Sequence, residues 1–204
     1  MQQLEVIKIL KNDLNYAEVS INKLKLFVRS LIAANQKYNF ISKSTESDIW
    51  HRHILDSAQL VKFIDFNKHS MADLGSGAGF PGIVLSLFNE KSPLHVKLYE
   101  KSPVKRAFLE EMIKKLSINA TLFNNIYDDK IDSEIVVCRA FKKLDQVIQV
   151  SREIVKKPHR LIVLKGQNAQ EELNKALKNK KYAYKLEKSM TNDKSKIVII
   201  NFNL

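Results

Sequence analysis

The sequence predicts an α/β fold: a mostly parallel sheet covered by helices on both faces, closed by an antiparallel C-terminal hairpin and preceded by a helical extension. Three observations carry this. From Ser70 onward, short apolar runs alternate with helix-length amphipathic stretches, the pattern of successive strand and helix units. Four of the five glycines fall in residues 75–82, directly after the first apolar run, where a strand must turn tightly into a helix. Near the C-terminus the alternation stops, and two strand-like runs, 182–187 and 196–202, flank a polar stretch containing Asn192 and Asp193.

Residues 1–68 read as the helical extension and 69–204 as the sheet domain. In the extension, Ile21, Leu24, Val28, Leu31 and Ile32 recur at helical spacing. A second helix from about Glu46 places Trp50, Ile54, Ala58 and Val61 on one face, with Ser44 or Thr45 as its expected cap. Strands are expected near 70–74, 94–100, 119–124, 134–138 and 160–164, and helices near 81–89, 103–116, 143–155 and 168–179. Pro81 suits the first turn of the helix that follows the glycines. Such a sheet binds ligands outside the carboxyl ends of its strands, at the point where strand order reverses. The glycine loop, Glu100, Arg139 and Lys165 all stand at such ends.

The chain has 204 residues, 45% of them hydrophobic, enough for one substantial core. A formal net charge of +12 suggests a polyanionic partner, and residues 156–196 hold twelve basic side chains against four acidic ones. The single cysteine, Cys138, excludes an intramolecular disulfide and multi-cysteine zinc sites. The first residues lack a basic segment leading into a long apolar core, and no stretch approaches the ~20 apolar residues that span a bilayer. A cytoplasmic location is expected.

The glycine loop carries the chemistry. Residues 77–82 fit the dinucleotide pattern G-x-G-x-x-G, a weak signal alone. Asp73, however, precedes the glycines, and the resulting D-x-G-x-G-x-G resembles the first motif of S-adenosylmethionine-dependent methyltransferases. A carboxylate there suits the ligand's ammonium group or a nearby water better than a pyrophosphate. Glu100 ends the second strand 18 residues beyond Gly82, where a carboxylate can accept from both hydroxyls of a ribose. Asp73, Gly75, Gly77, Gly79 and Glu100 are therefore candidate cofactor-binding residues.

The segments 39–42 (Asn-Phe-Ile-Ser), 53–57 (His-Ile-Leu-Asp-Ser), 73–82, 105–109 (Lys-Arg-Ala-Phe-Leu), 139–141 (Arg-Ala-Phe) and 164–166 (Leu-Lys-Gly) together resemble the ribosomal RNA small subunit methyltransferase G family, also called glucose-inhibited division protein B. The resemblance covers about residues 20–170. It implies a Rossmann-like class I methyltransferase sheet, S-adenosylmethionine as cofactor, and methylation of a guanine N7 of 16S ribosomal RNA in a hairpin near the decoding centre. Family cofactor contacts would fall on Gly75, Phe80, Ile126, Tyr127 and Arg139. Relatives commonly carry an acidic residue where this chain has Ile126-Tyr127, so Tyr127 would pack on the adenine in place of the usual carboxylate contact.

The chemistry of the fourth strand end agrees. Methylation of exocyclic amines usually involves an Asp/Asn-Pro-Pro-aromatic sequence there, whereas this chain has Cys138-Arg139-Ala140-Phe141. Guanine N7 offers an in-plane lone pair and no proton, so positioning would carry most of the catalysis. Arg139 and Lys165 are the candidate catalytic residues, as clamps on RNA phosphate or on guanine acceptors. Cys138 reads as a small buried strand residue rather than a nucleophile. His51 and His53 point to different helix faces, which argues against a metal, while His53 and Asp56, three apart, can share a face toward the pocket. The expected partner is 16S ribosomal RNA or the small ribosomal subunit, bound by a monomer without a metal or a membrane. Two other functions fit parts of the pattern: a small nicotinamide-dependent oxidoreductase using residues 77–82 and Glu100, and a noncatalytic RNA-binding assembly factor.

Overall fold

The computed structural model describes residues 1–89, 91–128, 131–178 and 182–203. Residue 179 of the helix expected near 168–179, and Lys180 and Lys181 of the basic segment, lie outside the described residues. Seven strands form one sheet in the order β3-β2-β1-β4-β5-β7-β6: β1 (Ser70–Leu74), β2 (His95–Tyr99), β3 (Ala120–Phe123), β4 (Ile135–Arg139), β5 (His159–Lys165), β6 (Ala183–Lys188) and β7 (Lys196–Phe202). The first five run parallel, and β7 pairs antiparallel with both β5 and β6. Strand order reverses between β1 and β4. This is the Rossmann-like arrangement of class I methyltransferases with its antiparallel C-terminal pair.

Alternation within the strands divides two cores. Met71, Ile135, Val137, Ile162, Leu164 and Ile199 face the N-terminal helices together with α5 (Gly82–Ser86) and α6 (Pro103–Leu116). Ala72, Val136, Cys138, Leu161, Val163 and Val198 face α7 (Leu144–Ile154) and α8 (Ala169–Leu177). The N-terminal helices α1 (Gln3–Asn12) and α2 (Glu18–Tyr38) bury Val6, Leu10, Leu24, Phe27 and Leu31 in the same core as that first sheet face. The outer strand β6 is half-exposed and carries Lys185 and Lys188, charges that oppose edge-to-edge pairing.

The second N-terminal helix departs from its expected form. A single turn, α3 (Lys43–Glu46), is followed by a π-helical segment, Trp50–Leu55, which passes through α4 (Asp56–Ala58) into a 3-10 segment, Gln59–Phe63. Trp50, Ile54, Ala58 and Val61 are nevertheless all buried, because the apolar face survives the change of winding. The helix cap is Ser42; Ser44 and Thr45 lie inside α3, and Thr45 turns its hydroxyl to His53. Helix α5 spans only Gly82–Ser86 rather than 81–89, with Pro81 at its N-cap after a cis peptide bond.

The loop between β1 and α5 is held from below. Asp73 is inaccessible to solvent, and its Oδ2 accepts from the Gly82 amide at 2.9 Å. A Cβ at Gly82 would overlap Leu98 and stand 2.6 Å from that carboxylate oxygen, so only glycine allows the approach. Burial pushes the Asp73 carboxyl up to about 7, against the lowering effect of the Gly82 amide. The unfolded carboxyl titrates near 3.9, so the folded state binds more protons between about pH 4 and 7 and loses stability as pH rises through that window. Asp73→Asn keeps an acceptor for Gly82 and removes this ionisation. Thermal melts from pH 4 to 8 should show a shallower loss of Tm with rising pH in the variant than in the parent protein.

Candidate active site

A cavity of about 630 Å³ opens at the carboxyl ends of β1, β2 and β4, where the strand order reverses. Its floor is the glycine loop, with Gly75, Gly77 and Phe80 on the surface. One side is formed by Glu100 and the segment 124–127, the other by Arg139–Lys142. A third wall comes from the N-terminal helices, through Phe40, Ile41, Ser42, Thr45 and His53.

The loop is tied to β2. The amides of Gly75 and Ser76 donate to the Tyr99 carbonyl at 2.9 and 3.0 Å, and the Gly77 amide donates to Glu100 Oε2 at 2.9 Å. Glu100 Oε1 accepts from the Ser102 amide at 2.8 Å. Each carboxylate oxygen retains a further lone pair, so this buried but cavity-lining group can still accept from a diol. Gly77 has φ +58, and a Cβ there would meet nothing closer than the Gly75 carbonyl at 3.8 Å. The bare backbone thus faces the space a ligand would fill. Ile126 is buried and Tyr127 exposed, and both line the cavity near Glu100.

Two of the candidate cofactor residues are placed elsewhere. Asp73 lies beneath the loop, bonded to Gly82, and does not line the cavity; in place of the expected contact with a ligand ammonium or a nearby water, its carboxyl supports the loop. Gly79, with φ +100, is also absent from the lining and packs against Ile83.

Arg139 is the hub of the opposite side. Its guanidinium donates to the Arg52 carbonyl at 3.0 Å and to His53 Nδ1 at 2.7 Å, stands 3.5 Å from Asp56 Oδ2, and lies 5.0 Å from the Phe80 ring centroid. Arginine only donates, so His53 Nδ1 accepts. The imidazole proton therefore resides on Nε2, which donates to Thr45 Oγ1 at 3.0 Å. Burial, reinforced by the Arg139 charge, pushes His53 down to about 3, holding it neutral in that tautomer. Its ring stacks on Phe80 at 5.0 Å. Ala140 has φ +50, a left-handed conformation that a residue with a Cβ seldom adopts, and turns the chain immediately after Arg139.

Lys165 sits apart from the main cavity. Its ammonium donates to Glu172 Oε2 at 2.8 Å and to the Lys142 carbonyl at 2.9 Å, and it lines a smaller cavity of about 350 Å³ that shares Arg139 and Ala140 with the first. Cys138 is fully buried, with its thiol pushed up to about 12 by burial, which suits packing rather than attack. Among the described residues no group of three His, Cys, Asp or Glu side chains could hold a metal ion, and no helix is long and apolar enough to cross a membrane. Sequence reasoning did not assign Thr45, Lys101, Lys105, Asn125 or Lys142 to the site. Phe40 to Ser42 and Lys105 lay within segments that carried the family resemblance, but those segments gave no sign of which side chains turn inward.

The family described as rRNA small subunit methyltransferase G (GidB) matches residues 20–199. The Ribosomal RNA small subunit methyltransferase G of Pelagibacter ubique (strain HTCC1062) is 36% identical over 193 residues, covering 92% of this chain and 90% of the relative. That of Orientia tsutsugamushi (strain Ikeda) is 34% identical over 197 residues, covering 96% and 98%. Among solved structures, a SAM dependent methyltransferase from Aquifex aeolicus aligns with TM-score 0.57 at 12% identity over 74% of this chain and 91% of its own. M. jannaschii TYW2 in complex with AdoMet aligns with TM-score 0.54 at 18% identity over 73% and 74%. The structural likenesses establish the fold, and the match over residues 20–199 with the two relatives establishes that this chain belongs to the rRNA small subunit methyltransferase G family.

Proposed function

We propose that the protein transfers a methyl group from S-adenosylmethionine to the N7 of a specific guanine in 16S ribosomal RNA, in the decoding-region hairpin. One observation carries the reading: a single cavity joins a nucleoside-binding end, built from the Gly77 backbone and Glu100, to a cationic end built from Arg139 and Lys142. The residues fit the cofactor, since the open backbone at Gly77 and the spare acceptor capacity of Glu100 match an amino-acid tail and a ribose. Bound S-adenosylmethionine supplies an electrophilic methyl on a sulfonium. Ile126 and Tyr127 would hold the adenine, and Gly75, Gly77 and Phe80 would form the floor beneath the rest of the ligand.

No residue is required to remove a proton, because guanine N7 carries none. Arg139 is instead held in place by Arg52, His53 and Asp56, and positions the substrate beside the loop. Lys101, Lys105 and Lys142 at the cavity mouth meet the RNA backbone, while Glu100 is already tied to two amides. The protein works as a cytoplasmic monomer in this reading, with its N-terminal helices and the basic stretch from Lys156 on the ribosomal side.

Incubation with methyl-labelled S-adenosylmethionine and small subunits lacking the modification, followed by nucleoside mapping, tests the reaction. Label in 7-methylguanosine of the decoding-region hairpin is expected, and label confined to any other nucleoside would overturn the assignment. Gly77→Val forces a β-branched residue into the left-handed region and fills the cavity floor. Calorimetric titration should show S-adenosylmethionine affinity reduced at least ~10-fold while circular dichroism remains native. Arg139→Ala should reduce methyl transfer by about 100-fold, with a lower Tm because Asp56 and His53 lose their shared partner; single-turnover rates measure the first effect and thermal melts the second.

A further inference from the structure

We propose that the smaller cavity seats the target base and that Asp56 selects guanine over adenine there. The inference rests on the rRNA methyltransferase reading and assigns the substrate subsite of that reaction. The two cavities meet at Arg139 and Ala140, so a base held in the smaller one borders the cationic end of the larger, beside the Arg139 guanidinium that positions the substrate. Its walls are polar: Asp56, Arg139, Lys165, Glu172 and Ser195 all contribute.

The two oxygens of Asp56 are used unequally. Oδ1 accepts from Gln59 Nε2 at 3.0 Å and from Thr191 Oγ1 at 2.9 Å. Gln59 is itself fixed, donating to Ser189 Oγ at 3.1 Å and accepting from the Met190 amide at 2.7 Å. The helical segment and the β6–β7 turn thereby lock the carboxylate in one orientation. Among the described residues Oδ2 pairs only with Arg139, at 3.5 Å, longer than a well-formed hydrogen bond, and keeps acceptor capacity on the cavity wall. Lys165 likewise spends two donors on Glu172 and the Lys142 carbonyl and retains a third.

That pair matches one base edge. Guanine presents two adjacent donors, N1–H and N2–H, beside the O6 acceptor. Asp56 Oδ2 accepts from the donors and Lys165 answers O6. Adenine would set its N1 lone pair against the carboxylate, which a site built on hydrogen bonds rejects strongly. A base read by its Watson–Crick edge must be unpaired and extruded, and it keeps its N7 edge free for methylation.

The test compares small subunits whose target position carries guanosine or inosine, which lacks the N2 amino group but retains N7 and O6. Single-turnover methyl transfer would be measured for the parent protein and Asp56→Asn, with S-adenosylmethionine affinity determined by calorimetry. Inosine should slow the parent at least ~10-fold. Asp56→Asn should slow guanosine methylation by a similar factor, bring the guanosine-to-inosine ratio within about 2-fold of unity, and leave cofactor affinity unchanged. Equal parent rates on the two bases, or an unaltered ratio in the variant, would overturn the inference. Should the variant fold poorly, the parent comparison alone decides. Absence of transfer to guanosine by the parent would instead overturn the rRNA reading, and the base assignment with it.

Discussion

The hydrogen bond from the Gly82 amide to the buried Asp73 carboxylate sets the shape of everything above it. A carboxylate with no solvent access is costly, and here it is offset mainly by one backbone donor. In return the bond closes the loop, joining the end of β1 to the start of α5. Helix α5 has only five residues, too few to define its own start through propensity. Its beginning is defined by that carboxylate and by the burial of Ile83, Val84 and Leu85. With the loop fixed from beneath, Tyr99 and Glu100 align its amides along one rim.

The opposite rim is organised by charge and tautomer. Arg139 engages three groups from one short helical segment, the Arg52 carbonyl, the His53 ring and the Asp56 carboxylate. Neutral His53 is the compatible partner, since a protonated ring would present a second donor to a guanidinium. Burial raises the Asp56 carboxyl while Arg139 opposes that rise, so each partner moderates the cost of burying the other. The site combines a positive mouth suited to an RNA backbone with an interior whose polar groups are largely pre-positioned by the fold.

The parts legible in the sequence were those written in local pattern. Strand and helix alternation gave the sheet, glycine clustering gave the loop, and the spacing to Glu100 placed a carboxylate at the cavity's edge. The direction of the Asp73 side chain was not legible, because a residue at a strand end can face the ligand or the loop beneath it, and only packing decides. The pairings of Arg139 with Arg52 and of Gln59 with Met190 join positions 87 and 131 residues apart, and periodicity carries no information at that range. Lys165 was correctly placed at a strand end, but its ion pair with Glu172 and its position in a second cavity follow from how α8 packs.

The π-helical winding of Trp50–Leu55 gives the polar half of the site a dependence on residue count. A π turn contains more residues than an α turn, so losing one residue from this segment would let it wind as ordinary α-helix. One residue corresponds to about 100° of rotation. His53 and Asp56, which flank Arg139 from adjoining cavities, would no longer address it together even with every side chain of the network retained. In this family member, insertions and deletions within 50–55 carry a constraint independent of residue identity: the guanidinium's partners are set by the length of the backbone as much as by its chemistry.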